Sequence, residues 1–373
     1  MCSKQPALNI LGTRGIPARH GGFETFAQHL SLYLEGRGWD ITVYCQETGR
    51  GRTVEEYWRG IRLVKIPVNL KGPAGTMVFD WKAALNARQR PGVHLVLGYN
   101  TALFNMLLVP RKAGMIFNMD GLEWKREKWS AIARAWLYLN ERAACLSADH
   151  LVADHPEIKK HLLRIVKRDN ITMIPYGAPH ISEAPVDCLK QYGVQPGNYL
   201  LLVARPEPEN SILEVVRGFS LKRQGIKLLL LGNYSREHPY QAKVLDAASD
   251  EVVFAGAIYN EVTVSALRFH AMAYVHGHTV GGTNPSLVEA LGAGNAVIAH
   301  DNRFNRWVTG EEAAMFFDSQ ETFLHVLDKI RENPGRLQKM KDASRKRFKE
   351  HFTWTQILKE YENCLLQFVN GSG

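Results

Sequence analysis

Short apolar runs alternate with helical or turn-rich segments along the chain. In the first half, the runs that predict strands lie at 7–11, 41–45, 61–66, 93–97, 115–119, 150–153 and 171–174. In the second half, they lie at 199–203, 227–231, 252–254, 273–276, 296–299 and 314–317. Because strands that alternate with helices form parallel βαβ units, the pattern predicts an α/β fold with parallel sheets.

The composition changes near the middle of the chain. Residues 174–179 read Ile-Pro-Tyr-Gly-Ala-Pro, and a polar stretch with prolines continues to Gly197 before a new strand begins. We therefore predict two Rossmann-like domains, 1–178 and 179–353, whose strand carboxyl ends face each other across a ligand-binding cleft. The segment 354–373 starts as a helix with no strand after it, and we expect it to pack back onto the first domain.

Charge is divided unequally between the two halves. The 373 residues include 46 Lys and Arg against 37 Asp and Glu, a net charge of +9. Residues 1–178 hold 25 of the basic and 15 of the acidic residues, a net of +10, which leaves −1 for the rest. An anionic partner is therefore expected at the first domain. Because no nucleic-acid-binding signature accompanies the charge, we expect an anionic membrane or a phosphate-bearing acceptor and no nucleic acid.

Cysteine usage and hydropathy indicate the compartment. The five cysteines are scattered and include no Cys-x-x-Cys pair, which argues against a disulfide framework and a zinc site. The sequence has no signal-peptide pattern and no run of about 18 apolar residues that could span a bilayer. We expect a protein of the reducing cytoplasm, either free or associated with the inner face of the cell membrane.

The most informative motif is Gly281-Gly-Thr-Asn-Pro-Ser-Leu-Val-Glu289, which connects a predicted strand to a predicted helix. Asn284 suits the N-cap of that helix, and Pro285 suits its first position, where a missing N–H costs nothing. Free amides at Ser286 and Leu287, with the positive end of the helix dipole, then predict an anion site. The alternative is a glycine-rich turn followed by a surface glutamate.

This passage resembles the donor-binding signature of the family 4 retaining glycosyltransferases of GT-B fold. In that family two glutamates, with seven residues between them, bracket the start of the helix. Glu289 matches the second glutamate, which holds the nucleotide ribose, whereas the first, which contacts the donor sugar, is replaced by Gly281. The resemblance assigns donor binding to Gly282, Thr283, Asn284, Ser286, Leu287 and Glu289.

A second stretch, Leu202-Val-Ala-Arg205-Pro-Glu-Pro-Glu-Asn210, follows the first strand of the second domain. It resembles the family's Gly-Arg-Leu…Lys-Gly stretch, whose Arg and Lys clamp the donor diphosphate. Arg205 is retained, and Asn210 stands at the lysine position. The resemblance therefore implies that both residues contact the donor and that Arg205 acts in catalysis. The alternative for Arg205 is an ordinary surface arginine.

The loop Gly12-Thr-Arg-Gly-Ile-Pro-Ala-Arg-His-Gly-Gly-Phe-Glu-Thr25 resembles the glycine loop of the family's first domain. There Gly21 and Gly22 would lie close to the donor phosphate and the acceptor. Arg14 and Arg19 would add positive potential on the acceptor side, or they are solvated arginines of a long loop. The loop is not Gly-x-Gly-x-x-Gly, so it predicts no dinucleotide site.

Asp120 follows the strand predicted at 115–119, at a position where related enzymes place a polar residue by the reacting centre. We expect Asp120 to act in catalysis and Glu123 to lie on the acceptor side, although either residue would also suit a turn. The stretch Asp120-Gly-Leu-Glu-Trp-Lys-Arg126 and the three motifs above look closest to bacterial rhamnosyltransferases of cell-wall and capsular polysaccharide assembly. The resemblance therefore implies dTDP-L-rhamnose as the donor.

Two further patterns leave alternatives open. Residues 124–138 combine basic residues with three tryptophans, as in helices that lie on membranes, but aromatic residues at helical spacing more often pack in a core, which we favour. His276 and His278 precede the donor motif without an evident third metal ligand, and no Asp-x-Asp triplet exists. We expect one histidine to line the cleft, the other to be structural, and the protein to bind no metal.

Together these patterns predict a retaining, metal-independent glycosyltransferase that uses a nucleoside-diphosphate sugar and no cofactor. The expected reaction moves L-rhamnose onto a glycan or polyprenyl-diphosphate-linked acceptor. The alternatives are transfer from UDP-glucose, UDP-GlcNAc or GDP-mannose, a non-catalytic sugar-nucleotide-binding protein, and a nucleotide-sugar epimerase on the same fold. An NAD-dependent dehydrogenase is disfavoured because the glycine fingerprint is missing.

Overall fold

A computed structural model describes residues 5–18, 21–109, 114–126, 129–166 and 170–369 of the chain. The chain divides into two units, the first comprising Met1–Pro175 with Trp354–Gly373 and the second Tyr176–Thr353. Each unit is built on its own sheet.

In the described part of the first unit, the apolar runs form a sheet of eight strands. These are β1 (Ala7–Leu11), β2 (Asp40–Thr48), β3 (Val54–Trp58), β4 (Ile61–Val68), β5 (Val93–Leu97), β6 (Met115–Met119), β7 (His150–Ala153) and β8 (Ile171–Met173). Their order is β3-β4-β2-β1-β5-β6-β7-β8, and every neighbouring pair is parallel except β3 and β4. The strand order reverses between β1 and β5, so the carboxyl ends of these two strands flank a switch point.

Strand β3 is an edge strand that the hydrophobic pattern did not predict. Most of its residues are exposed, and it pairs antiparallel with β4 through a hairpin in which Arg59 and Gly60 have φ of 49° and 81°. Two central residues with positive φ are typical of a type I′ turn. A strand exposed at the edge of a sheet needs no apolar run, so the sequence carries no such signal for it.

Five helices in the described part of the first unit connect these strands. They are α1 (Gly22–Glu35), α2 (Gly72–Ala87), α3 (Ala102–Leu108), α4 (Ala131–Ser147) and α5 (Pro156–Leu162), with a short 3₁₀ turn at Glu123–Lys125. Strands β5, β6 and β7 are buried along their whole length. Continuous burial is expected for parallel strands that are covered on both faces.

The described part of the second unit contains a sheet of six parallel strands. They are β9 (Tyr199–Val203), β10 (Lys227–Leu231), β11 (Val252–Gly256), β12 (Ala273–His276), β13 (Ala296–His300) and β14 (Ala314–Phe317). The order β11-β10-β9-β12-β13-β14 is the doubly wound order of dinucleotide-binding folds. Its switch point lies between β9 and β12.

Helices and apolar side chains cover both faces of this second sheet. The helices are α6 (Ile212–Ser220), α7 (Pro239–Asp246), α8 (Glu261–Phe269), α9 (Pro285–Gly292), α10 (Arg303–Thr309), α11 (Gln320–Glu332) and α12 (Pro334–His351). Successive residues of a strand point to opposite faces, so Leu200 and Leu202 belong to one core cluster and Leu201 to the other.

The last helix, α13 (Trp354–Val369), belongs to the first unit and packs on α1. The ring of Tyr361 lies 4.6 Å from that of Phe26, and the Trp354 ring stacks on His29 at 4.4 Å. The Asn118 amide of β6 donates to the Tyr361 hydroxyl at 2.6 Å. The fold of the first unit is therefore completed by a helix that follows the whole second unit in the sequence.

Candidate functional site

The loops that follow β9 and β12 are bound to each other at the switch point of the second sheet. The amide and the hydroxyl of Thr279 both donate to the Glu209 carbonyl, at 2.9 and 3.0 Å. A Cβ on Gly277 would lie 2.0 Å from the Asn210 carbonyl oxygen, so this close approach requires glycine. The two segments that the sequence analysis assigned to the donor are thus brought together, at the edge where open α/β sheets bind ligands.

Helix α9 begins as predicted, but its first amides are occupied. The Asn284 side chain accepts hydrogen bonds from the Ser286 amide at 3.0 Å and from the Ser286 hydroxyl at 2.9 Å. The Leu287 amide donates to the Asn284 carbonyl at 3.1 Å. The prediction of free amides at Ser286 and Leu287 is therefore wrong for this structure, because the cap that starts the helix uses them. The helix dipole is unaffected and still favours an anion at this end.

Glu289 forms an ion pair that the sequence did not predict. Its carboxylate contacts the Arg268 guanidinium of α8, whose side chain is 8% exposed against 27% for Glu289. The Asn295 amide donates to the Arg268 carbonyl at 2.7 Å and helps to fix that residue. Arg268 lies on an amphipathic helix outside every motif, so no pattern in the sequence distinguishes it from a surface arginine. The pair holds the Glu289 carboxylate in one position.

Arg205 and Asn210 have different surroundings. The Arg205 side chain is exposed and makes no hydrogen bond or ion pair within the described part of the chain. The Asn210 side chain is buried, and its amide donates to the Arg205 carbonyl at 2.8 Å. This hydrogen bond closes the loop carrying Arg205, and the donor contact of Asn210 stays a prediction. Thr283 is also buried, at 4% exposure, so its side chain does not face solvent.

Two histidines occupy the end of β12. His276 is 1% exposed, and neither of its ring nitrogens has a hydrogen-bond partner among the described residues. Its ring stacks on that of His278, with 4.3 Å between the ring centres. Burial, and to a lesser extent the nearby rings of His278 and His300, lower the pKa of His276 well below its usual range. His278 is only partly buried. The structure thus places His276 in the interior and leaves His278 as the histidine with solvent contact.

The glycine loop of the first unit lies at the switch point of the first sheet. A Cβ on Gly12, whose φ is 77°, would lie 2.2 Å from the Leu97 carbonyl oxygen of β5. Gly21 is the N-cap of α1, and the Arg14 amide donates to the Glu24 carboxylate at 3.0 Å. The Arg14 side chain is exposed, as expected for a solvated or acceptor-binding arginine.

Gly22 and Arg19 of this loop were also predicted to lie near the donor phosphate and the acceptor. Gly22 is the first residue of α1. Arg19, predicted on the acceptor side, lies outside the described residues.

The two acidic residues predicted near the acceptor have different contacts. The Glu123 carboxylate accepts from Arg126 at 2.8 Å and from the Trp129 indole at 3.4 Å. The Asp120 carboxylate, at the carboxyl end of β6, makes no hydrogen bond or ion pair with the described residues. The Tyr99 hydroxyl holds the turn between them, because it donates to the Gly121 carbonyl and accepts from the Glu123 amide. Asp120 is therefore an available carboxylate on a fixed turn, whereas Glu123 is part of that turn.

Comparison with known proteins gives two family matches, one for each half of the chain. Residues 5–179 match a family described as a domain of unknown function (DUF1972). Residues 215–363 match a family described as glycosyl transferase-like. No curated protein sequence is significantly similar to the chain.

Solved structures resemble the chain over nearly its full length. A sucrose-phosphate synthase from Thermosynechococcus elongatus has a TM-score of 0.76 at 18% identity, with 98% of this chain and 99% of that chain covered. Anabaena HepE, solved with UDP and glucose, has a TM-score of 0.74 at 12% identity, with coverage of 97% and 99%. A glycosyltransferase from Rickettsia africae has 0.71 at 15%, with 99% of each chain covered. The predicted GT-B fold is confirmed.

Proposed function

We propose that this protein of GT-B fold is a glycosyltransferase that binds a nucleoside-diphosphate sugar on its second unit and an acceptor on its first. The observation that carries the proposal is the exposed Arg205 guanidinium, which has no anionic partner within the described part of the chain. Its loop is bonded to the loop that leads into α9. A guanidinium and the positive end of a helix dipole, on two joined loops, suit a diphosphate.

The rest of the donor would be bound by groups next to this pair. Glu289 is one turn into α9 and is partly exposed, so its carboxylate can accept hydrogen bonds from the ribose hydroxyls while it remains paired with Arg268. The structure of HepE contains UDP and glucose, which supports a nucleotide sugar as the donor class.

For the donor sugar we propose L-rhamnose, carried as dTDP-L-rhamnose. The family's sugar-contacting glutamate is replaced by Gly281, and this residue has φ of 153°, a conformation that other residues rarely adopt. Position 281 therefore differs from the family's glutamate position in its backbone conformation as well as in its missing carboxylate. A 6-deoxy sugar lacks one of the hydroxyls of a hexose, which is consistent with a site that has lost a carboxylate.

The proposed reaction retains the anomeric configuration and needs no protein nucleophile. The acceptor hydroxyl attacks the anomeric carbon as the bond from that carbon to the diphosphate oxygen breaks, through an oxocarbenium-like transition state. The departing diphosphate takes the proton of the acceptor hydroxyl. Arg205 stabilises the charge that develops on the diphosphate. Asp120 would orient the acceptor, which is a glycan or a polyprenyl-diphosphate-linked sugar.

A panel of sugar nucleotides tests the donor by thermal shift. A ligand at about 100 times its dissociation constant stabilises the folded protein by roughly 2.7 kcal/mol, which is easily measured. We expect dTDP-L-rhamnose to give the largest shift. A clear shift with UDP-glucose, UDP-GlcNAc or GDP-mannose, and none with dTDP-L-rhamnose, would assign a different donor.

The Arg205→Ala variant tests the diphosphate site. We expect turnover to fall by about 100-fold or more, because a charged donor to the leaving group is lost, while the unfolding midpoint stays unchanged. Arg217→Ala, at an exposed arginine of α6, is the matched control and should keep full activity. If the two variants have the same turnover number, Arg205 does not contact the diphosphate.

A non-catalytic sugar-nucleotide-binding protein is the second candidate. It is favoured by Gly281 at the first glutamate position and by Asn210, whose amide is already bonded within the protein. Such a protein would bind the donor tightly and neither hydrolyse nor transfer it. Product formation by the purified protein with its acceptor would exclude this candidate.

A further inference from the structure

Helix α4 has apolar residues on two faces, of which only one is covered by the residues that the structure describes. Its buried face includes Leu137, Ala144 and Cys145. On the opposite side, Ile132, Leu139 and Leu146 are exposed by 85, 55 and 76%. Together with Ala135 and Arg142 these residues recur every three or four positions, which aligns them in one stripe along the helix.

The stripe continues onto the neighbouring helices. Leu107 of α3 is 69% exposed, and Trp81 of α2 is 41% exposed. The ring of Phe104 lies 5.3 Å from that of Trp81 and 6.1 Å from that of Trp136. The outer apolar residues of the three helices therefore belong to one surface of the first unit. Tyr138 of α4, beside the stripe, is 41% exposed. We call this the α4 surface and define it by Trp81, Leu107, Ile132, Tyr138, Leu139 and Leu146.

The tryptophans that suggested a membrane helix in the sequence have mainly structural roles. The Trp124 indole donates to the buried Glu141 carboxylate at 3.2 Å, and the Trp136 indole donates to the Asn100 carbonyl at 2.9 Å. Both rings are partly buried. The most exposed apolar side chains of α3 and α4 are leucines and one isoleucine, which the sequence pattern did not single out.

The charges on α4 favour an anionic partner. Arg134 and Arg142 are its cations, and its one carboxylate, Glu141, is 1% exposed and paired with Arg142 and His161. Helix α3 carries no charged residue. Residues 1–178 as a whole are also positive, with a net charge of +10. Arg142 is the partner of Glu141, and the Arg134 guanidinium donates to the Trp124 carbonyl at 3.0 Å, so two arginines and one glutamate leave α4 with a net charge of +1. Neither α3 nor α4 offers an exposed acid.

We propose that the α4 surface docks on the headgroup region of an anionic lipid bilayer. The leucines would enter the boundary between headgroups and acyl chains, and the net positive charge of α4 and of residues 1–178 would favour anionic headgroups. A second copy of the chain would bring the same net positive charge to this surface, which favours an anionic bilayer over a second copy as the occupant. Among the described helices none is long and apolar enough to cross a membrane. The inference rests on the first unit alone and is independent of the donor.

Vesicle sedimentation tests the inference with the full-length protein. We expect the protein to sediment with vesicles of phosphatidylglycerol and phosphatidylcholine in equal parts, and about tenfold less with phosphatidylcholine alone or at 0.5 M salt. The double variant Leu139→Glu, Leu146→Glu should lose about tenfold in binding to the anionic vesicles. Leu221→Glu, at an exposed leucine of the second unit, is the matched control and should bind like the unchanged protein.

Fold and donor binding are measured in parallel. The unfolding midpoint and the thermal shift with sugar nucleotides should not differ between the double variant and the unchanged protein, because both leucines are exposed. Equal vesicle binding by the two proteins would overturn the inference. So would a dimer in sedimentation equilibrium that the double variant converts to a monomer, because the occupant would then be a second copy.

Discussion

The ion pair of Glu289 and Arg268 joins a partly exposed carboxylate to a nearly buried guanidinium. We expect Glu289→Ala to lower the free energy of unfolding by about 3 kcal/mol, because it leaves the guanidinium buried without a partner. Arg268→Ala should cost less, because water can reach the remaining carboxylate. Urea unfolding of both variants measures the difference, and equal losses would mean that the two groups are equally solvated.

The burial of His276 should make the free energy of unfolding depend on pH. Its pKa in the folded protein is well below 6.5, because burial opposes the charged form, whereas the unfolded chain binds a proton near pH 6.5. As the pH falls below about 6.5, proton uptake therefore favours the unfolded state, by up to about 1.4 kcal/mol per pH unit.

The His276→Phe variant should reduce this slope between pH 6.5 and 5, measured by urea unfolding at several pH values. Burial also lowers the pKa of His94 and His300, so part of the slope should persist. An unchanged slope in the variant would show that His276 is protonated in the folded protein.

Asn284 caps the start of helix α9, which is also the end of the helix that attracts an anion. A change at Asn284 should therefore affect both the stability of the helix and the binding of the donor. Asn284→Asp keeps the capping oxygen, and its charge favours the helix dipole, so we expect stability to be unchanged or raised by about 0.5 kcal/mol. The same charge would repel a diphosphate, and donor binding should weaken by tenfold or more. Donor titration by calorimetry checks this, and unchanged affinity would place the diphosphate away from the start of α9.

Parallel strands and the start of α9 were predictable because each has a local signal. A buried parallel strand is a continuous apolar run, and an Asn-Pro pair after such a run marks a helix start. Strand β3 has no such signal, and neither has the pairing of Arg268 with Glu289. The occupied amides of Ser286 and Leu287 follow from the cap geometry, which the sequence indicates without showing which donors the cap uses. Contacts between distant segments, such as Thr279 with Glu209, depend on the fold and leave no local pattern.

At the scale of the whole molecule, the two units have separate cores, and matched variants can test whether they unfold separately. Tyr361 and Tyr274 are buried, one in each unit. Tyr361→Ala should cost about 3–5 kcal/mol and speed amide hydrogen exchange in residues 5–175 but not in 176–353. Tyr274→Ala should do the reverse. Faster exchange in both units with either variant would mean that they unfold as one cooperative block.

Because α13 follows the second unit, the first unit cannot be completed when its own strands leave the ribosome. At about 5–20 residues per second, synthesis of Tyr176–Thr353 takes roughly 10–35 seconds, and during that time Phe26 and Asn118 lack the partner that Tyr361 later supplies. The second unit can close on itself as soon as it emerges. Translation therefore leaves the first unit as the last part to mature, with an apolar face for chaperones to protect in the meantime.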